Sequence, residues 1–275
     1  MKSSRKAWLV LLYLALRSGA FCLFALPNTG SLLPTENAPA GEALPANTDP
    51  FIGRAVYALR DSVYMSADPE SIEAQADDII KALNSPSAAA LDEESRLLFI
   101  ARTEFLAGRA FNEAGSKEKA IVRFESAAGH ARASMALGEH IPGIMALIRP
   151  LSELCLLKGM GFLLGNGPLI PRYTQQILDM DPGHRAATII FASSKAYPPG
   201  IFGGNPREAI ALLEKLIVQH PLGFEKDELF DLRACLGTAY AKLGDKAKAA
   251  QWFKSALELY PNNSYALTEL ERAGG

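Results

Sequence analysis

Residues 236–261, LGTAYAKLGDKAKAAQWFKSALELYP, decide the fold. Gly237, Tyr240, Gly244, Ala249, Phe253, Ala256 and Pro261 form a ladder of small and aromatic side chains at fixed offsets. Residues 107–127, AGRAFNEAGSKEKAIVRFESA, repeat it with Gly108, Phe111, Gly115, Ala120, Phe124 and Ala127. A ladder that recurs at fixed offsets predicts stacked helical hairpins. Gly237 and Ala249 leave room where two antiparallel helices cross, and Tyr240 and Phe253 fill the flanking gaps. Gly244 suits a left-handed residue just past the first helix, and Asp245 is placed to cap the second. Pro261 is expected to end that second helix, whereas the copy near 104 has Arg132 at the matching position.

Weaker copies extend the pattern. EAIALLEKLIVQHP sets Ala209, Leu213, Leu216 and Pro221 at the same spacing, after a turn stretched by KAYPPGIFGGNP. Asn205-Pro206 reads as an N-cap followed by proline at the first helical position. Ile170, Thr174, Ile177 and Pro182 form a degenerate unit, and residues 56–83 read as a further hairpin whose second helix opens at Asp68-Pro69. No strand alternation of any length intervenes, so the expected fold is all-α, an irregular tetratricopeptide-like solenoid of antiparallel helix hairpins. Roughly ten helices are expected over residues 51–275, read as one domain.

The C-terminal copy closely resembles a tetratricopeptide repeat, and the copy near 104 resembles one well. Carried onto these residues, the inner-face positions of that family are Arg102, Phe105, Arg109, Asn112 and Glu113 in one copy. In the terminal copy they are Asp231, Ala234, Thr238, Ala241 and Lys242. Arg102 and Arg109 are seven apart, two turns along one face, with Phe105 between them. That trio is a candidate grip for a carboxylate or a peptide end; solvated, helix-stabilising arginines are the plain alternative.

The first fifty residues differ in kind. MKSSRK and the apolar run AWLVLLYLAL read as the start of a secretory signal or an N-terminal anchor over residues 1–25. Residues 26–50 are a Pro/Ala-rich linker. Cys22 is a lipidation candidate, although Phe21 is bulky where such sites want a small residue. Cleavage near Ala25 and retention as an anchor are the other fates. The expected location is outside the cytoplasm, in the periplasm, with membrane association through the N-terminus.

Composition excludes other classes. The chain is 49% hydrophobic and 21% charged with net charge -2, and no basic stripe suggests nucleic acid. Cys155 and Cys235 lie in apolar helical sequence, as core cysteines do. His130, His140, His184 and His220 show no metal-ligand spacing. The glycines of KGMGFLLGNGP follow a helical run, not a strand, so they mark turns rather than a phosphate loop. Adjacent acids such as Asp77-Asp78 diverge around a helix. The reading is non-enzymatic, with no cofactor and no metal. Residues 144–164 are strongly apolar, but Arg149, Glu153 and Lys158 interrupt them, and Pro150 is expected to bend or break the helix. A buried core helix is the preferred reading, with an exposed apolar contact face as the alternative.

Tyr197, Pro198, Phe202 and Asn205 in the inserted loop are further binding candidates, since loops on a rigid scaffold often carry function. This stretch, Tyr197 to Ile210, resembles the T component associated with tripartite periplasmic (TRAP) transporters. That resemblance implies a helical lipoprotein or periplasmic protein, a homo-oligomer (a trimer), and a substrate-binding protein as partner, with a helical cavity for a small ligand. The competing reading is a general protein-interaction scaffold or assembly factor of the envelope that grips peptides on its concave face.

Overall fold

Short polar side chains and prolines set where the helices begin. The computed structural model describes residues 50–197, 199–200, 204–221 and 223–275. Helix α1 (Pro50–Tyr64) leads to α2 (Pro69–Leu83), where Asp68 accepts from the Ser71 N–H at 2.9 Å and Pro69 occupies the first turn. Asp92 accepts from the Ser95 N–H at 2.7 Å and opens α3 (Glu93–Glu113), which turns into α4 (Lys117–Leu137). Then follow α5 (Ile141–Leu157), α6 (Met160–Asn166) and α7 (Leu169–Met180). Further on, α8 (Arg185–Ala196) and α9 (Pro206–Gln219) flank the inserted loop, and Asn205 caps α9 by accepting from the Glu208 N–H at 3.2 Å. The chain ends with α10 (Lys226–Lys242), α11 (Lys246–Leu257) and α12 (Ser264–Arg272). Among the described residues there is no strand, so the fold is all-α, built from tetratricopeptide-like antiparallel hairpins. The signal or anchor segment, the linker up to Asp49, Cys22, Pro198 and Phe202 lie outside the described residues.

The helices group into two compact units, one ending at Tyr173 and one beginning at Thr174. In the first, α1 and α2 pack on α3 around Ile52, Val56, Leu59, Ile72, Ile79 and Ile100. Its second cluster joins α3, α4 and α5 through Phe105, Phe111, Phe124, Leu147 and Leu154. In the second unit, Ile189, Leu213, Leu216, Leu232 and Leu236 join α8, α9 and α10. Each such large side chain contributes about 1.5–3 kcal/mol on full burial. The ladder positions are the buried ones: Ala120, Phe124 and Ala127; Ala209, Leu213 and Leu216; Ala249, Phe253 and Ala256.

Four details differ from the sequence reading. Phe253 does not merely flank Gly237; its ring lies on it, and a Cβ there would stand 2.9 Å from the ring atoms. Phe124 lies on Gly108 in the same way, at 2.7 Å. Pro261 is not itself the terminator of α11, which stops at Leu257. The copy with Arg132 carries a 21-residue second helix against 12 residues in α11. Pro150 sits inside α5 without ending it; the helix ends at Leu157, just before Gly159 at φ 81°. A left-handed residue stops a helix that one missing N–H had not stopped.

Helix α5 is a core helix, with Ile144, Met145, Ile148 and Leu151 fully buried. Among the described residues no helix is long and apolar enough to cross a membrane. Gly161 and Gly165 lie within α6, while Gly159 and Gly167 bound it, so the glycine cluster is a turn device. Cys155 and Cys235 are free and buried.

Candidate binding face on helices α1, α3 and α5

In the first unit α1, α3 and α5 are the leading helices of successive hairpins, and α3 packs against both of the others. Tyr57 and Tyr64 are two turns apart on α1, as Arg102 and Arg109 are on α3. The equal spacing brings them together in register. The Arg102 guanidinium lies 5.1 Å from the Tyr57 ring centre, and Arg109 lies 4.8 Å from that of Tyr64. Arg60 stacks on the same Tyr57 ring at 4.9 Å and bonds Asp61 at 2.8 Å. Guanidinium over an aromatic face is a favourable pairing that gains strength as water is excluded.

Arg109 is 4% exposed and also bonds Glu113 at 2.8 Å, one turn along α3. The Asn112 amide donates to Glu153 on α5 at 3.2 Å, and Glu153 is 2% exposed. Burial pushes the Glu153 carboxyl up to about 8; Arg109 opposes that rise and Glu113 adds to it. Arg149, also buried, lies one turn before Glu153 on α5. Burial thus favours the neutral form of Glu153, while Arg60 pairs with Asp61 and Arg109 with Glu113.

The structure sorts the candidate residues. Arg102, Arg109 and Asn112 come together around this face. Phe105 does not stand between the two arginines: three residues turn the helix by about 300°, which swings it to the α4 side. There it is buried, 5.8 Å from the Phe124 ring. Tyr57, Tyr64 and Arg60 escaped the sequence reading, which noted Arg149 and Glu153 only as interruptions of an apolar run. The signal that could have found the tyrosines is their seven-residue spacing, equal to that of the arginines.

The second unit presents a different surface. Asp231, Ala234 and Thr238 are buried, and Thr238 shares a 2.8 Å hydrogen bond with Tyr265 of α12. Arg185 bonds Glu228 at 3.0 Å, and burial pushes the Glu228 carboxyl up to about 7 against the pull of Arg185. Tyr197 is buried, and its carbonyl accepts from the Lys242 ammonium. Asn205 donates its backbone N–H to the Lys195 carbonyl at 2.8 Å, so the loop is tied at both ends. A separate groove on α1 and α2 is lined by Ile52, Ala55, Ala58, Ile79 and Ala82. Among the described residues no group of His, Cys, Asp and Glu could hold a metal ion.

Residues 230–263 match the tetratricopeptide repeat family. A solved structure described as that of YrrB, a TPR protein with an unusual peptide-binding site, is 17% identical; the match covers 80% of this chain and 97% of that one, with a TM-score of 0.35. None of the curated proteins compared with the chain matches it. The family match is confined to this stretch, which holds most of α10 and all of α11.

Proposed function

We propose that this chain is a protein-interaction module, without catalytic activity, that holds an anionic segment of a partner protein along α1, α3 and α5. The observation that carries this reading is the double Tyr–Arg stack, Tyr57 with Arg102 and Tyr64 with Arg109. The repeat matched at residues 230–263 supports an interaction role in general terms. Stacked arginines are pre-oriented, so less side-chain freedom is lost when a carboxylate reaches them. Arg102 is the more accessible of the two, and Arg109 sets the local field from beneath.

The test is fluorescence anisotropy of the full chain with an N-acetylated octaglutamate carrying a free C-terminus. Binding that weakens about tenfold with Arg102→Glu, and steeply with salt, supports the reading. Equal affinity for an octaglutamine peptide overturns it.

The narrower reading, an exported accessory component of a tripartite periplasmic transporter, rests on the Tyr197–Ile210 stretch. Tyr197 is anchored within its unit by Lys242, as a loop held for presentation would be. Co-purification of a periplasmic solute-binding protein, lost when residues 198–203 are removed, is the result that would favour it. Its oligomeric state and N-terminal processing are part of the same proposal and are read by light scattering and N-terminal sequencing.

A further inference from the structure

Arg109 acts electrostatically on two carboxyl groups that differ in setting. Glu113 is on its own helix, partly exposed, and bonded to it at 2.8 Å. Glu153 is on α5, enclosed, and held by the Asn112 amide at 3.2 Å. We propose that Glu153 is a proton-binding site that regulates the α1–α3–α5 face: protonated, it leaves Arg109 to Glu113 and to an anionic ligand, and ionised, it draws Arg109 toward α5 and opposes that ligand. This rests on the binding reading above.

The charges around Glu153 come from few elements. Arg109 and Glu113 face it from α3, and Arg149 precedes it by one turn on α5. Helix α6 carries no ionisable residue. Helix α4 meets the end of α5 through the Glu125–Lys158 pair. Burial favours the neutral form and holds the carboxyl up near 8, so the proton leaves to solvent within a physiological reach. Losing it places a new negative charge beside the arginine that sets the field of the face. Where solvent screens the two charges as bulk water does, a close like-charge contact is worth about fivefold in affinity for an anion. Glutamate and glutamine differ there mainly in this charge, so glutamine stands in for the protonated form.

The experiment has two arms on the full chain. Carbon-13 NMR of labelled glutamate carboxyls, with Glu153→Gln to assign the resonance, is expected to place the Glu153 midpoint near 8. Glu113→Gln should lower that midpoint, because it removes the like charge that shares Arg109. A Glu153 resonance that titrates in the ordinary carboxylate range overturns the proton site. In the second arm, octaglutamate affinity between pH 7 and 9.5 is expected to fall about fivefold in the unaltered chain and stay level in Glu153→Gln. A midpoint near 8 with flat affinity in both overturns the regulation. Failure of octaglutamate to bind at any pH overturns the binding reading, while the first arm still decides the proton site.

Discussion

The Phe253 ring rests on Gly237, so close that a Cβ on that glycine would stand 2.9 Å from its Cε1 and Cζ. Gly108 and Phe124 repeat the relationship at 2.7 Å. Gly237→Ala is therefore expected to destabilise the protein. Overpacking costs about 1–3 kcal/mol, against about 1 kcal/mol returned by better helix propensity. Gly129, within α4, has nothing near its missing Cβ, so Gly129→Ala should stabilise by about 0.5–1 kcal/mol. Urea unfolding of both variants, read by circular dichroism, checks the opposite signs.

Arg123 on α4 ties two other helices. It reaches Asp77 at 2.7 Å and Glu73 at 3.2 Å on α2, and Glu104 at 3.0 Å on α3. Glu104 is largely buried and also accepts from the Ser126 hydroxyl. Arg123→Ala should cost about 1–2 kcal/mol, chiefly because Glu104 loses its cation in a desolvated setting. Double substitution with Glu104→Gln should recover part of that loss. A purely additive result in denaturant titrations would show that the pair is not coupled.

Two enclosed glutamates make stability fall with rising pH. Burial holds Glu153 near 8 and Glu228 near 7, both above the value of an unfolded glutamate. Between about pH 4.5 and those values the folded state binds more protons than the unfolded one, so unfolding free energy decreases as pH rises. The contribution is complete below pH 4.5, is lost through pH 7 and 8, and is level above. Glu153→Gln should raise stability at pH 8.5 by more than about 1 kcal/mol relative to its effect at pH 5. Thermal unfolding across that range, with Glu228→Gln alongside, separates the two groups.

Lys242 holds the Tyr197 carbonyl at the C-terminal end of α8. Replacing it with methionine keeps the aliphatic stem and removes the ammonium donor. The expected change is local: faster hydrogen exchange at Tyr197 and at the Asn205 N–H, with global stability altered by less than about 1.5 kcal/mol. Exchange that accelerates across α9 and α10 as well would assign Lys242 a role in the core of its unit.

The hairpins were legible because their signals are local. A glycine and a phenylalanine sixteen positions apart in each copy meet across one turn, and the intervening Gly115 and Gly244 take positive φ as their residue type predicts. Asp68, Asn205 and Asp245 cap the helices they were expected to cap. The site was legible in part. Arg102 and Arg109 share a face because seven residues make two turns. Phe105 leaves that face because of a rotation of about 60°, which matters only once α4 is beside it.

By its own local periodicity, this chain determined an all-helical fold of paired helices, the turns between them and the ladder residues that are buried. Only tertiary structure decided which side chains the arginines meet. Tyr57 and Arg102, like Tyr64 and Arg109, are 45 positions apart and become neighbours only when α1 packs on α3. Glu153 gains its proton affinity from enclosure, a property of the surrounding helices rather than of its neighbours in the chain.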